Sequence, residues 1–204
     1  MHSLVADLER VRGVEPEKGN RYIKFKRAVV WTWIVYELTR LAGEAGRYRV
    51  GKTAYFLERG LHLGLFQQHQ KKKWGPYDSA AKYHDAEPIA KKKGWLQVKG
   101  KASYELGQSV TEIFKYTSRY LKDDVVASKF VEFLSNLSFA RLETISTVDM
   151  AAVELAGQGK EVSVRSIAEF LNTSAEWKDK LARDNFSDFH IRESLEELKN
   201  WKFV

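Results

Sequence analysis

Glu-x-Lys strings, closely spaced histidines and clustered lysines are the patterns in this chain that chemistry could use. A metal-dependent nuclease needs an acidic residue and a Glu-x-Lys on adjacent strands, so that carboxylates bind the cation and the lysine polarises water. Glu176-Trp177-Lys178 and Glu197-Leu198-Lys199 carry the string, but both fall in helical or capping contexts. His62 and His69 are seven residues apart, too far for the i, i+4 zinc pair of a helix. His84 and Glu87 are three apart and can share a helix face, where a surface hydrogen bond or ion pair is the more ordinary use. Gly51-Lys52-Thr53 lacks the first glycine of a phosphate loop and follows a helix rather than a strand. A chain with no cysteine has no disulfide and no thiolate metal site. No catalytic residue, metal or cofactor is expected.

The lysines are the stronger signal. Residues 1–105 hold 21 Lys and Arg against 11 Asp and Glu, whereas residues 106–204 hold 13 against 16, so the net charge of +7 sits wholly in the first half. A basic half joined to a slightly acidic half predicts one part facing a polyanion and one facing protein. Lys71, Lys72 and Lys73, then Lys91, Lys92 and Lys93, bracket one predicted helix that also carries Lys82, and Lys99 and Lys101 follow it. These nine are the expected nucleic-acid contacts, made mainly to phosphate, since the helix has few Arg, Asn or Gln residues with which to read bases. Asp78, Asp85 and Glu87 lie on or beside the same helix and would repel a phosphate backbone. The bland alternative is that the lysines only keep a domain solvated.

The elements that must position these residues run from Arg49 to Glu105. Val50, Tyr55, Phe56, Leu57, Leu61, Leu63, Leu65 and Phe66 form an apolar stripe at helical spacing. A basic loop follows, and Gly75-Pro76 stops the chain because Pro forces the residue before it out of the helical region. Asp78 or Ser79 then caps a helix that extends to Lys93 and ends at Gly94. Trp95–Val98 and Ala102–Glu105 alternate around Lys99-Gly100-Lys101 and read as a hairpin. The order is helix, turn, helix, wing. Trp74 and Tyr77 flank the turn as expected partner-binding aromatics, while Trp95 and Tyr83 are the ones expected to fill the core.

Gly51-Lys52-Thr53-Ala54-Tyr55-Phe56-Leu57 on a helix led by basic residues, followed by Trp74-Gly75-Pro76-Tyr77-Asp78 and Lys93-Gly94-Trp95, resembles the region appended to the C-terminus of some type I restriction-modification specificity subunits. The same stretch is similar, more loosely, to the Panacea antitoxin domain, in which a lysine-led helix precedes a Gly-Pro element. The resemblance spans residues 47–98 and brings no catalytic residues with it. It implies a DNA-associated accessory or specificity-type component of a restriction-modification or related defence system. The alternative is a protein-docking or toxin-neutralising module that binds no nucleic acid.

The rest of the chain reads as mainly helical. Residues 1–26 are expected to be a leader or linker, with Arg21, Lys24, Lys26 and Arg27 as a basic arm. Residues 27–105 form a winged-helix-like domain that opens on a buried helix over Ala28–Ala45. That helix contains the longest apolar run, Ala28–Val35, which is too short for a membrane span, so no membrane association is expected. Residues 106–204 are a helical domain, with helices expected over 107–121, from Asp123-Asp124 to about Ser135, and over Phe139–Leu155. Shorter helices follow over Val162–Leu171 and Asp188–Asn200, and a closing Trp201-x-x-Val204 strand repeats Trp95-x-x-Val98, giving a second, partial winged-helix-like unit. The fold class is therefore mainly α, with winged-helix-like modules carrying a short β-hairpin wing and joined by long helices. The long middle helices are the expected contact for a protein partner or a homodimer. The absence of cysteine and of a secretory signal predicts a cytoplasmic protein.

Overall fold

A computed structural model describes residues 2–12 and 22–204. Gly13, Pro16, Gly19 and Arg21 of the expected linker and arm lie outside the described residues. The protein is mainly helical with two small antiparallel sheets, and it divides into two compact units. The first comprises the described residues of Met1–His69 together with Asp78–Asn136; the second is Gln70–Tyr77 with Leu137–Val204. Residues 106–136, grouped by the sequence pattern with the C-terminal half, thus pack in the first unit. Among the described residues no helix is long and apolar enough to cross a membrane.

In the first unit, α1 (His2–Arg12) buries Leu8 and Val11 against its neighbours, so this part of the expected leader belongs to the core. Helix α2 (Ile23–Ala42) is the centre: every residue from Arg27 to Val35 is buried, because helices and a sheet cover it on all sides. β1 (Ala45–Gly46) leads into α3 (Arg47–Leu61), which stops at His62 in a left-handed conformation, φ 49°. Leu63, Leu65 and Phe66 are buried, but in irregular chain rather than on the helix stripe. The Glu58 carboxylate holds them there by accepting the N–H groups of Gly64, Leu65 and Phe66, each at 2.9 Å.

The helix expected over 79–93 is two helices, α4 (Ser79–Tyr83) and α5 (Ala86–Lys92). Pro88 supplies the reason. In a continuous helix it would lack the N–H for the His84 carbonyl and clash with it; a break at His84-Asp85 puts Pro88 in a first turn, where no such bond is needed. Asp78 caps α4 by accepting the Ala81 N–H at 2.9 Å, and Asp85 caps α5 by accepting the Ala86 N–H at 2.6 Å.

Gly94, at φ 68°, turns the chain into β4 (Leu96–Lys99), which pairs with β5 (Ser103–Leu106) in the register Val98 opposite Tyr104. β1 closes the far edge of β5, giving the order β1-β5-β4. Gly107 passes so near the Gly94 carbonyl that a Cβ would sit 2.1 Å from it, so only glycine fits. The helix expected over 107–121 is a 3₁₀ segment, Val110–Lys115, then the short α6 (Thr117–Leu121). Helix α7 (Asp124–Ser135) starts on the Asp123 cap, as its sequence predicts, and closes this unit.

In the second unit Lys71–Lys73 and Gly75-Pro76 do not form a loop and a stop. They form a hairpin, β2 (Gln70–Lys72) with β3 (Gly75–Tyr77), turning at Lys73-Trp74 with Gly75 at φ 92°. A two-stranded ribbon has free edges, so a proline inside it breaks no ladder that matters. The hairpin packs on α8 (Phe139–Gly157), which is capped by Ser138 and buried continuously from Leu142 to Asp149. The helix expected to serve a dimer is, over that stretch, covered within its own unit. Helix α9 (Val164–Thr173) begins with a Ser163–Ser166 capping box, and α10 (Asp188–Asn200) buries Ile191, Leu195 and Leu198. Trp201–Val204 forms no strand: Lys202 takes φ 56° and Trp201 is buried, so the expected second wing is absent.

Candidate nucleic-acid interface

The carboxylates around α5 decide what the helix presents outward. Asp78, Asp85 and Glu87 are exposed by only 4%, 4% and 5%. Arg27, carried inward by α2 rather than extended as an arm, donates from Nη1 to Asp85 at 2.9 Å and from Nη2 to Asp78. Arg47, in the first turn of α3, donates from Nη2 to both Glu87 oxygens at 2.8 and 2.7 Å, and the Tyr104 hydroxyl on β5 donates to the same carboxylate at 2.6 Å. These three acids are therefore turned inward, with two guanidinium cations against three carboxylates, which weakens the repulsion expected from them. Burial raises the Asp85 carboxyl above its usual range, with Arg27 opposing. Burial also raises the Tyr104 phenol, and its hydrogen bond to Glu87 adds to the rise. For Arg47, burial pulls down, but the bonds to Glu87 and Tyr104 outweigh it and raise the guanidinium.

The charged side chains exposed at the end of α5 are cationic, whereas the hairpin also exposes Glu105. Lys91, Lys92 and Lys93 are exposed at the C-terminal end of α5, and Lys99 and Lys101 are exposed on the β4–β5 hairpin. Lys91, Lys92, Lys93 and Lys101 make no ion pair among the described residues. Lys99 spends part of its charge on Glu105 at 2.8 Å. Lys82 is half-buried with its ammonium 4.8 Å from the Tyr83 ring centroid. Tyr83, expected in the core, is 58% exposed; Trp95 is buried as expected. The break at His84-Asp85 accounts for the difference, since it ends the face on which Tyr83 would have stayed inward.

The nine expected lysines are divided between the units. Lys82, Lys91, Lys92, Lys93, Lys99 and Lys101 belong to the first, whereas Lys71, Lys72 and Lys73 belong to the second. Lys71 pairs with Glu154 at 2.8 Å and lies 4.9 Å from the Phe170 centroid. Lys72 and Lys73 are exposed, as is Trp74, and Tyr77 is half-buried.

The Glu-x-Lys, Gly-Lys-Thr and histidine strings fall in these surroundings. Glu176 and Lys178 flank the start of a 3₁₀ turn, and Glu197 lies within α10, where it accepts from Arg141 at 2.5 Å. Gly51-Lys52-Thr53 sits inside α3, with Lys52 buried and its ammonium 5.2 Å from the Tyr48 centroid. His84 is exposed while Glu87 points inward, so the two share no face. His69 donates from Nδ1 to the Phe66 carbonyl at 2.7 Å, and burial pushes the imidazole down to about 4. Among the described residues no group of three His, Asp or Glu side chains could hold a metal ion. Sequence spacing did not reveal that Arg27, Arg47 and Tyr104 hold these carboxylates inward. No protein-family model and no curated protein matches this chain.

Proposed function

We propose that the protein is a non-enzymatic, DNA-associated accessory or specificity-type component of a restriction-modification or related defence system, gripping the duplex backbone with α5 and the β4–β5 hairpin. The observation that carries the DNA contact is the burial of Asp78, Asp85 and Glu87 against Arg27 and Arg47 beside exposed Lys91, Lys92, Lys93 and Lys101. The assignment to a defence system rests on the resemblance of residues 47–98. Chain order supports a winged-helix reading of the first unit: α2, β1, α3, the α4–α5 pair, then a hairpin whose second strand is flanked by β1. Fold alone does not assign function, so the charged surface bears the weight.

Four lysines on phosphate give a salt slope of about −3.6 in log affinity against log salt, or a loss of roughly 150-fold between 50 and 200 mM. Fluorescence anisotropy with a random 20-base-pair duplex measures this directly. The triple reversal K91E/K92E/K93E should abolish tight binding and bring the slope close to about −1. Absence of duplex binding at 50 mM salt would refute the proposal and favour the protein-docking, antitoxin-like alternative, for which exposed Tyr83 and Trp74 would be anchors.

A further inference from the structure

The turn of the β2–β3 hairpin holds an indole out into solvent and surrounds it with cations. Trp74 is 47% exposed at this turn, and Phe139, at the start of α8, is 50% exposed with its ring centroid 6.2 Å from the indole in an edge-to-face contact. The Arg183 guanidinium lies 4.9 Å from the Trp74 centroid and the Lys73 ammonium 5.4 Å. Lys72 is exposed beside them, and its carbonyl is tied to the Trp177 indole N–H at 2.8 Å, which fixes the strand that leads into the turn. Arg183 is itself held by Glu143 at 3.0 Å. Glu143 also pairs with buried Lys180, so two cations share one carboxylate and the cluster keeps a positive charge.

We infer that Trp74 and Phe139, with Lys72, Lys73 and Arg183, form a platform for single-stranded nucleic acid: an unpaired base stacks on the exposed aromatics while the cations take the adjoining phosphates. Bases in a duplex are already stacked on each other and present only edges, so an exposed indole gains nothing from them; an unpaired base offers a free π-face. This surface lies on the second unit and does not rest on duplex binding by α5 and the β4–β5 hairpin.

The test is anisotropy of a labelled 12-nucleotide oligothymidylate, of an abasic strand of the same length, and of duplex, on the full chain. Wild type should bind oligothymidylate more tightly than the abasic strand. W74A and F139A should each weaken oligothymidylate binding by roughly tenfold and leave duplex affinity unchanged. W74F, which keeps an aromatic face, should stay within about threefold of wild type. K91E/K92E/K93E should do the reverse, losing duplex and keeping the single strand. Far-UV circular dichroism of each variant checks folding. Equal binding of oligothymidylate and abasic strand by wild type, or unchanged oligothymidylate affinity in both W74A and F139A, overturns the proposal, as does binding to anionic vesicles without binding to the oligonucleotide.

Discussion

Replacing Arg27 with methionine should cost the first unit a large part of its stability at neutral pH and much less in acid. Arg27 is 3% exposed and bridges two carboxylates that are each 4% exposed. Methionine fills comparable volume but leaves Asp78 and Asp85 without their cation. Each keeps one backbone donor, the N–H of Ala81 or of Ala86, and loses the cation in direct contact with it. Breaking a buried pair in this way costs about 3–5 kcal/mol, at least about a fifth of the ~5–15 kcal/mol that holds a domain folded. Burial already raises Asp85, and Arg27 is the first group that opposes the rise. In the variant Asp85 binds its proton more readily when folded than when unfolded. The folded state therefore gains relative stability as pH falls through the raised folded value toward the unfolded one near 4, so the deficit shrinks. Urea unfolding followed by circular dichroism at pH 7.5 and pH 5 measures both numbers. The double variant R27M/D85N, which retains a side-chain oxygen for the Ala86 N–H, should cost clearly less than the two single changes added together. A loss below about 1 kcal/mol at pH 7.5 would refute the clamp, as would a deficit that grows on acidification.

Two further expectations test the packing and the buried imidazole. G60A should destabilise despite the usual gain of up to about 1 kcal/mol for Gly to Ala within a helix, because the new Cβ would lie 2.8 Å from Cε1 of buried Phe130. Overpacking of this kind costs about 1–3 kcal/mol, and a rise in the thermal midpoint of G60A would contradict the contact between α3 and α7. His69 is pushed down to about 4 by burial, below the ~6.5 of an unfolded chain. Between those values the unfolded state binds the extra proton, so stability falls on acidification. H69Q should show a shallower loss between pH 6.5 and pH 4.5, and an NMR titration placing His69 near its ordinary value would remove the basis for that difference.

Much of the architecture is legible in the residues alone because it depends on neighbours close in the chain. The periodicity of Val29, Val30, Trp33, Ile34 and Leu38 marks α2, the Asp123 and Ser163 caps start α7 and α9, and Gly94 closes α5 ahead of the hairpin. Pro88 was a local signal of the break between α4 and α5, since it forbids one hydrogen bond four residues back whatever the surroundings. Other features depend on partners distant in sequence. That Lys71–Lys73 pair with Gly75–Tyr77 as a ribbon and leave the first unit for the second follows from packing on α8, more than sixty residues further on. The electrostatics of the candidate interface are of the same kind. Counted along the chain, Asp78, Asp85 and Glu87 oppose the lysines; in space Arg27, Arg47 and Tyr104 turn them inward from as far as 58 residues away. Residue types and spacing determined how much charge this protein has and where its long helices lie. Only the tertiary structure decided which charges meet solvent, because a carboxylate's field is set by the cation it touches and the water it has lost, and neither is a property of its neighbours in sequence.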